Sequence, residues 1–179
     1  MENGMTAGRR ARTSIIALIM MSCFGLFGIP ANAGEFSVLF NGKAIHLDSQ
    51  PGITYNENNW GLGFQYDMEP VEETLVPFVT FSGFKDSNKN MSYYGGGGLL
   101  HRYKFDWGKT PMHFDAGVIV FLMKREGFQE DHLFPGILPA FSLGTPRVAV
   151  NMTFIPKIDP KMVPLLFFQL KITLGDIQK

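Results

Sequence analysis

Cysteine is nearly absent: the chain has one, Cys23, near its N-terminus, and residues 34–179 have none. Disulfides and thiolate metal sites are thereby excluded from that region. An excess of charge of one sign is missing as well. The whole chain carries 16 basic and 16 acidic residues. Without Arg9, Arg10, Arg12 and Glu2, residues 34–179 carry 13 and 15. A nucleic-acid partner, which calls for a basic stripe, is disfavoured. Beyond the N-terminal segment no apolar run reaches the length of a transmembrane helix. What the chain does have is 17 Phe, 5 Tyr, 2 Trp and 20 Gly, a composition that suits strands and tight approaches between them.

The first 33 residues read as a targeting segment. Three arginines precede an apolar run from Ile15 to Phe27, and Ala31-Asn32-Ala33 closes it with a small-residue cleavage pattern. That is the signature of a secretory signal peptide. The rival, Cys23 as a lipoprotein cysteine, has only Met20-Met21-Ser22 before it, a poor lipobox. Cleavage after Ala33 leaves residues 34–179 as one domain.

Alternation with period two recurs through that domain. In "RVAVNMTF", Val148, Val150, Met152 and Phe154 form one face and Arg147, Ala149, Asn151 and Thr153 the other. "LLFFQLKITL" and "MHFDAGVIVFL" repeat the pattern. Turn residues divide the chain into eight such segments, near 36–46, 59–68, 74–85, 92–107, 112–124, 134–143, 147–156 and 163–174. Eight antiparallel strands predict an all-β, up-and-down barrel. A membrane barrel places the apolar face on lipid and the mixed face in the lumen, and a soluble lipid-binding barrel does the reverse. Asp67, Asp115, Arg147, Asn151, Gln169 and Lys171 fall mid-strand opposite uniformly apolar faces. With export, this favours an outer-membrane β-barrel.

The stretch "GFKDSNKNMSYYGGGG", Gly83 to Gly98, carries the first chemical candidates. Asp86 and Ser87 form either a loop tip bonding its own backbone or part of an acid–base set. Strand parity places His46, at the end of the first strand, on the same rim as Asp86-Ser87 after the third. His132, on another loop of that rim, is the alternative histidine. Gly96 and Gly98 share a face with Tyr94, Arg102 and Lys104, read as inward. Missing side chains there open space in the lumen or ease curvature. Gly108-Lys109-Thr110 is not a P-loop ending, because Tyr103 stands where the motif needs glycine. His113 and Asp115 share a face without an identifiable third metal ligand, so they read as a lumen pair. The sequons at Asn90 and Asn151 are set aside, the second lying mid-strand.

Three stretches together, "YNENNWGLGF" after His46, "FKDSNKN" before the glycines and "LPAFSLGTPRVAVNMTFIP", resemble the lipid A palmitoyltransferase family, PagP. The resemblance runs from about Phe36 to Leu174 and rests on order and spacing. It implies an eight-stranded barrel in the bacterial outer membrane, working without metal or soluble cofactor and expected as a monomer. It also implies transfer of a palmitoyl or similar chain from the sn-1 position of a glycerophospholipid to lipid A of lipopolysaccharide. The family's catalytic His and Asp-Ser fall on His46, Asp86 and Ser87, and its acyl-measuring glycine falls on Gly98. The chain departs from the pattern in lacking room for a helix before Phe36 and in a shorter stretch from His46 to Trp60. Asn59 also replaces a proline before Trp60, and the tail ends in "GDIQK". The rival readings are a non-enzymatic outer-membrane barrel that binds or senses lipid, a lipid A deacylase and a soluble periplasmic lipid carrier.

Overall fold

The computed structural model describes residues 34–49, 52, 54–128, 131–157 and 163–176. The export segment expected over residues 1–33 lies outside the described residues. Eight strands follow in order: β1 Glu35–His46, β2 Asn58–Asp67, β3 Leu75–Lys85, β4 Met91–Trp107, β5 Thr110–Arg125, β6 Phe134–Gly144, β7 Val148–Ile155 and β8 Leu165–Asp176. Each pairs antiparallel with the next, and β8 closes on β1 into a barrel. The alternation in the sequence locates every boundary to within two residues.

Connections alternate in length around the barrel. One rim carries loops of 11, 5, 8 and 9 residues, after β1, β3, β5 and β7. The other carries connections of 7, 2 and 3 residues. This is the long-loop, short-turn asymmetry of membrane barrels. The wall agrees. Phe40, Leu62, Phe64, Phe81, Leu99, Val118, Val120, Ile137, Val150 and Leu170 all face outward and are exposed. An encircling apolar band far exceeds the patches tolerated on soluble proteins, and bilayer hydrocarbon covers such a band at no cost.

The lumen has two tiers. Towards the long-loop rim Ala44, Phe84 and Phe167 form a buried apolar cluster, and a second, Val76, Phe78, Leu100, Ile119 and Leu138, runs along β3–β6 down to the short-turn end, where Val76 pairs with Leu100. Tyr94 packs against both. The rest of the lumen towards the short-turn rim is polar and charged. Arg102 donates to both oxygens of Asp115, through Nε and Nη2, at 3.0 Å each. Asp67 receives Lys171 Nζ in a short contact and lies 3.4 Å from Arg102 Nη2. Buried charges are tolerated when paired this way. His113 shares this tier, its Nε2 lying 3.7 Å from Asp115 Oδ2. Lys104, expected inward, is exposed instead. The β4–β5 hairpin continues past its neighbours: β3 pairs with β4 only to His101, and β6 meets β5 only from His113. Residues 103–112 therefore project beyond the closed wall.

One seam is incomplete. β6 and β7 pair only over Ala140–Gly144 and Ala149–Thr153, so Phe134–Pro139 has no strand partner on that side among the described residues. Pro135 and Pro139 have no N–H to donate. Thr153 Oγ1 donates to the Pro139 carbonyl at 2.9 Å and caps the lower edge of the gap.

Candidate functional site

The long-loop rim is where β1 ends and where the β3–β4 connection turns. His46 Nε2 lies 3.0 Å from Ser87 Oγ. Strand parity puts the two residues on one rim, and the barrel brings their side chains within hydrogen-bonding distance. The imidazole is fixed from the side by Tyr55, whose ring stacks on it at 4.4 Å and 16°. Its other nitrogen, Nδ1, faces Glu57 Oε1 at 4.0 Å, beyond hydrogen-bonding distance. With the proton on Nδ1, Nε2 is an acceptor for the Ser87 hydroxyl, the arrangement that activates a hydroxyl or lets the imidazole relay a proton.

Asp86 is turned elsewhere. Its carboxylate is 3% exposed and meets Arg125, whose Nε donates to Oδ2 at 2.6 Å. Oδ1 accepts from the backbone N–H groups of Asn88 and Asn90 at 2.8 and 3.0 Å. Ser92 Oγ donates to Oδ2 at 3.4 Å. The loop is closed by two further backbone bonds, Asp86 N–H to the Asn90 carbonyl and Lys89 N–H to the Asp86 carbonyl. Asp86 thus folds its own loop, as the bland reading of the sequence has it, while Ser87 on the same loop points to His46. Both readings of the stretch describe part of it.

Asn56 straps the β1–β2 loop onto this turn. Its backbone N–H donates to the Ser87 carbonyl at 2.8 Å, and its side chain donates to the Asp86 carbonyl at 3.0 Å. Asn59 is buried and its side chain donates to the Lys85 carbonyl at 2.8 Å. Three side chains missed in the sequence therefore build the site: Asn56, Glu57 and Arg125. The first two lie inside the "YNENN" stretch, which carried the resemblance without a role. Arg125 lies on the inward parity of β5 and at the rim of Asp86, a signal that was available.

Below Ser87 opens a cavity of about 140 Å³. Asp86, Ser87 and Arg125 stand at its mouth, and Phe84, Tyr94, Ile119, Phe121 and Phe167 line its length. Gln65, Ser142, Asn151 and Gln169 reach it from the polar tier. Phe141 and Met152 also line it. Paired across the β6–β7 seam, they lie on the outward parity of their strands, so the cavity reaches the wall beside the incomplete seam. Gly98 faces the lumen one register pair from Phe78 and Ile119. It does not line the cavity. A Cβ on Gly98 would stand 2.7 Å from Phe78 Cε1 and 2.1 Å from the Val118 carbonyl oxygen, so the missing side chain is what seats the Phe78 ring. Phe78 in turn lines the cavity. His132 is not among the cavity's lining residues. No cluster of three or more metal-ligating side chains occurs among the described residues.

A family model described as antimicrobial peptide resistance and lipid A acylation protein PagP matches residues 42–169. Comparison with curated proteins gives no match. Among solved structures, the chain is similar to Neisserial surface protein A, with 15% identity, a TM-score of 0.44, and coverage of 80% of this chain and 96% of that one. It is also similar to Ail, the attachment invasion locus protein of Yersinia pestis. There the identity is 10%, the TM-score 0.39, and the coverage 79% of this chain and 96% of that one.

Proposed function

The chain belongs to the PagP family of antimicrobial peptide resistance and lipid A acylation proteins, and from that premise we propose a phospholipid:lipid A acyltransferase of the outer membrane. The donor is the sn-1 ester of a glycerophospholipid, and the group moved is palmitoyl or a chain of similar length. The acyl carbon leaves the sn-1 oxygen and bonds to a hydroxyl oxygen of lipid A. One proton passes from that hydroxyl to the departing lysophospholipid oxygen. His46 is the base that carries it, and Ser87 supplies the hydroxyl nearest the ester. Asp86 acts at a distance, holding Ser87 in place through its loop.

The observation that supports this reading most directly is the 3.0 Å His46–Ser87 contact at the mouth of an apolar cavity. An acid–base pair beside water would serve many hydrolases. Set over a largely apolar, aromatic shaft inside a membrane barrel, it suits an ester whose acyl chain must be buried. That burial is worth about 0.8 kcal/mol per methylene. The incomplete β6–β7 seam offers a membrane-embedded donor a lateral way in.

The test is mass spectrometry of lipid A from cells expressing the protein, beside the Ser87→Ala variant. An added acyl mass that vanishes in the variant supports the acyltransferase. A folded, membrane-inserted protein that leaves lipid A unchanged would instead identify a lipid-binding barrel. Release of free fatty acid without a gain in mass would indicate a deacylase.

A further inference from the structure

Two lysines on the outer wall towards the long-loop rim, Lys85 and Lys124, have no acidic partner among the described residues. Lys85 follows the inward Phe84, faces outward and lies over the Trp60 ring at 5.7 Å. Lys124, between the cavity residues Met123 and Arg125, is exposed on the opposite face of β5. Neither forms an ion pair among the described residues. Two nearby carboxylates among the described residues are engaged elsewhere. Asp86 is buried on Arg125, and Glu126 Oε2 accepts from the Met91 backbone N–H at 3.3 Å.

Between the lysines lies Tyr93. It pairs in register with Lys124 on one side and Gly83 on the other. Its ring covers Gly83, where a Cβ would stand 2.8 Å from Tyr93 Cδ1. Lys85 is two residues further along β3 than Gly83. With strands about 4.8 Å apart and a rise of about 3.3 Å per residue, the two lysine Cα atoms lie roughly 12 Å apart. Lys85 leans towards Trp60 on β2; swung back across β3, its flexible arm and that of Lys124 can bracket a phosphate over the Tyr93 ring. The level is that of the interfacial aromatic belt, given Trp60 and Tyr93 on the same wall. An unneutralised ammonium on that wall calls for an anion from the membrane side.

We propose that Lys85, Tyr93 and Lys124 form the docking site for a phosphate of the glycolipid acceptor, holding it on the β3–β5 wall while its hydroxyl reaches the Ser87 loop. This rests on the acyltransferase reading. The acceptor is favoured over the donor because the cavity meets the lipid phase at the β6–β7 seam, on a different wall. The donor therefore enters where these lysines are not. Lysine suits the task as a compact point charge on a flexible arm, and the tyrosine offers a sugar or phosphate ester a flat surface with a hydroxyl at its edge.

The test separates docking from turnover. Membrane-extracted protein carrying Ser87→Ala is titrated in zwitterionic micelles with phosphorylated lipid A, with the same lipid A after phosphatase treatment, and with phosphatidylglycerol. Trp60 fluorescence, read in a Trp107→Phe background, and equilibrium partitioning report binding. Adding Lys85→Gln weakens binding of phosphorylated lipid A about fivefold, and adding Lys124→Gln as well weakens it about 25-fold. Binding of the dephosphorylated lipid is unaffected. Equal affinity in all variants overturns the site, and an equal loss for phosphatidylglycerol reduces it to general surface attraction. In the otherwise native chain, the lysine pair raises KM for the acceptor and leaves that for the donor. A change confined to the donor also overturns the assignment. If no acyl transfer occurs at all, the titration still reads docking, so the two failures are distinguishable. A normal shift between folded and heat-unfolded gel mobility confirms that each variant is a barrel.

Discussion

Replacing Arg125 by Met should damage the site more than removing Asp86 and Arg125 together. The carboxylate of Asp86 is buried, and Arg125 Nε, at 2.6 Å, is its only cationic partner among the described residues. Deleting one member of a buried pair leaves a charge without compensation, at about 3–5 kcal/mol. Arg125 keeps about a fifth of its side chain exposed, so the lower end applies. About 3 kcal/mol corresponds to roughly 10² in the equilibrium between the closed turn and an opened one. In Arg125→Met the turn opens to hydrate Asp86, Ser87 leaves His46, and transfer to lipid A falls by up to that factor. In the double variant Asp86→Asn/Arg125→Met no charge is stranded. The Asn carbonyl oxygen can still accept from the Asn88 and Asn90 backbone, so much of the activity returns.

Initial rates of acyl transfer in mixed micelles, measured for the native protein, both single variants and the double, close the cycle. The expected coupling between the two positions is 1–3 kcal/mol in favour of the pair. Asp86→Asn alone should cost less than Ser87→Ala. If Asp86→Asn abolishes transfer as fully as Ser87→Ala does, and Arg125→Met adds nothing to it, Asp86 acts on the reacting atoms and its role as the loop's anchor is wrong.

Two further substitutions test the depth of the cavity and the support of the histidine. Phe78→Ala removes the ring seated on Gly98 and should shift the products towards longer acyl chains, whereas Gly98→Met should push that ring into the cavity and shorten them. Mass spectrometry of the lipid A products reads both, and an unchanged profile in both variants removes this pair from chain selection. Glu57→Gln should lower the rate by no more than about fivefold, because a carboxylate 4.0 Å away and 42% exposed contributes at most about 1 kcal/mol. A hundredfold loss on the rate–pH plateau would mean that Glu57 closes onto His46 during turnover.

The wall of this protein was legible because a barrel writes its geometry with period two, and a shift of one residue would put Lys171 or Asp115 into lipid. Parity alone put His46 and Ser87 on one rim. It could not say which loop carboxylate would approach the histidine, since that depends on the path of residues 54–57. Asp86 was the obvious acid in the sequence, yet its chain neighbours Asn88 and Asn90 bind it first. Glu57 came instead, carried by the loop that Asn56 straps down. Parity also turned Gly98 inward correctly, but only register shows that Phe78 lies opposite and fills the space. Lys104 misled because the alternation of β4 continues past the closed wall, where inward no longer means buried.

The two tiers of the lumen give the cavity a lower limit with a sign on each side. In the apolar tier, each added methylene meets Phe84, Ile119 or Phe167 and gains about 0.8 kcal/mol. At the layer where Asn151 Nδ2 donates to Gln65 Oε1 at 3.1 Å and Gln169 Nε2 donates to Asn41 Oδ1 at 2.5 Å, the balance reverses. A methylene entering there must part a buried hydrogen bond, and a buried amide left unpaired costs about 1–3 kcal/mol. The loss exceeds the gain for the first carbon past the boundary. The charged pairs beneath, Lys171 with Asp67 and Arg102 with Asp115, keep the amide layer from sinking to make room. Under the proposed acyl transfer, selectivity for chain length needs no rigid stop at the end of the shaft. It follows from the change of wall chemistry, and the cutoff should loosen when the amide layer is made apolar as well as when Phe78 is removed.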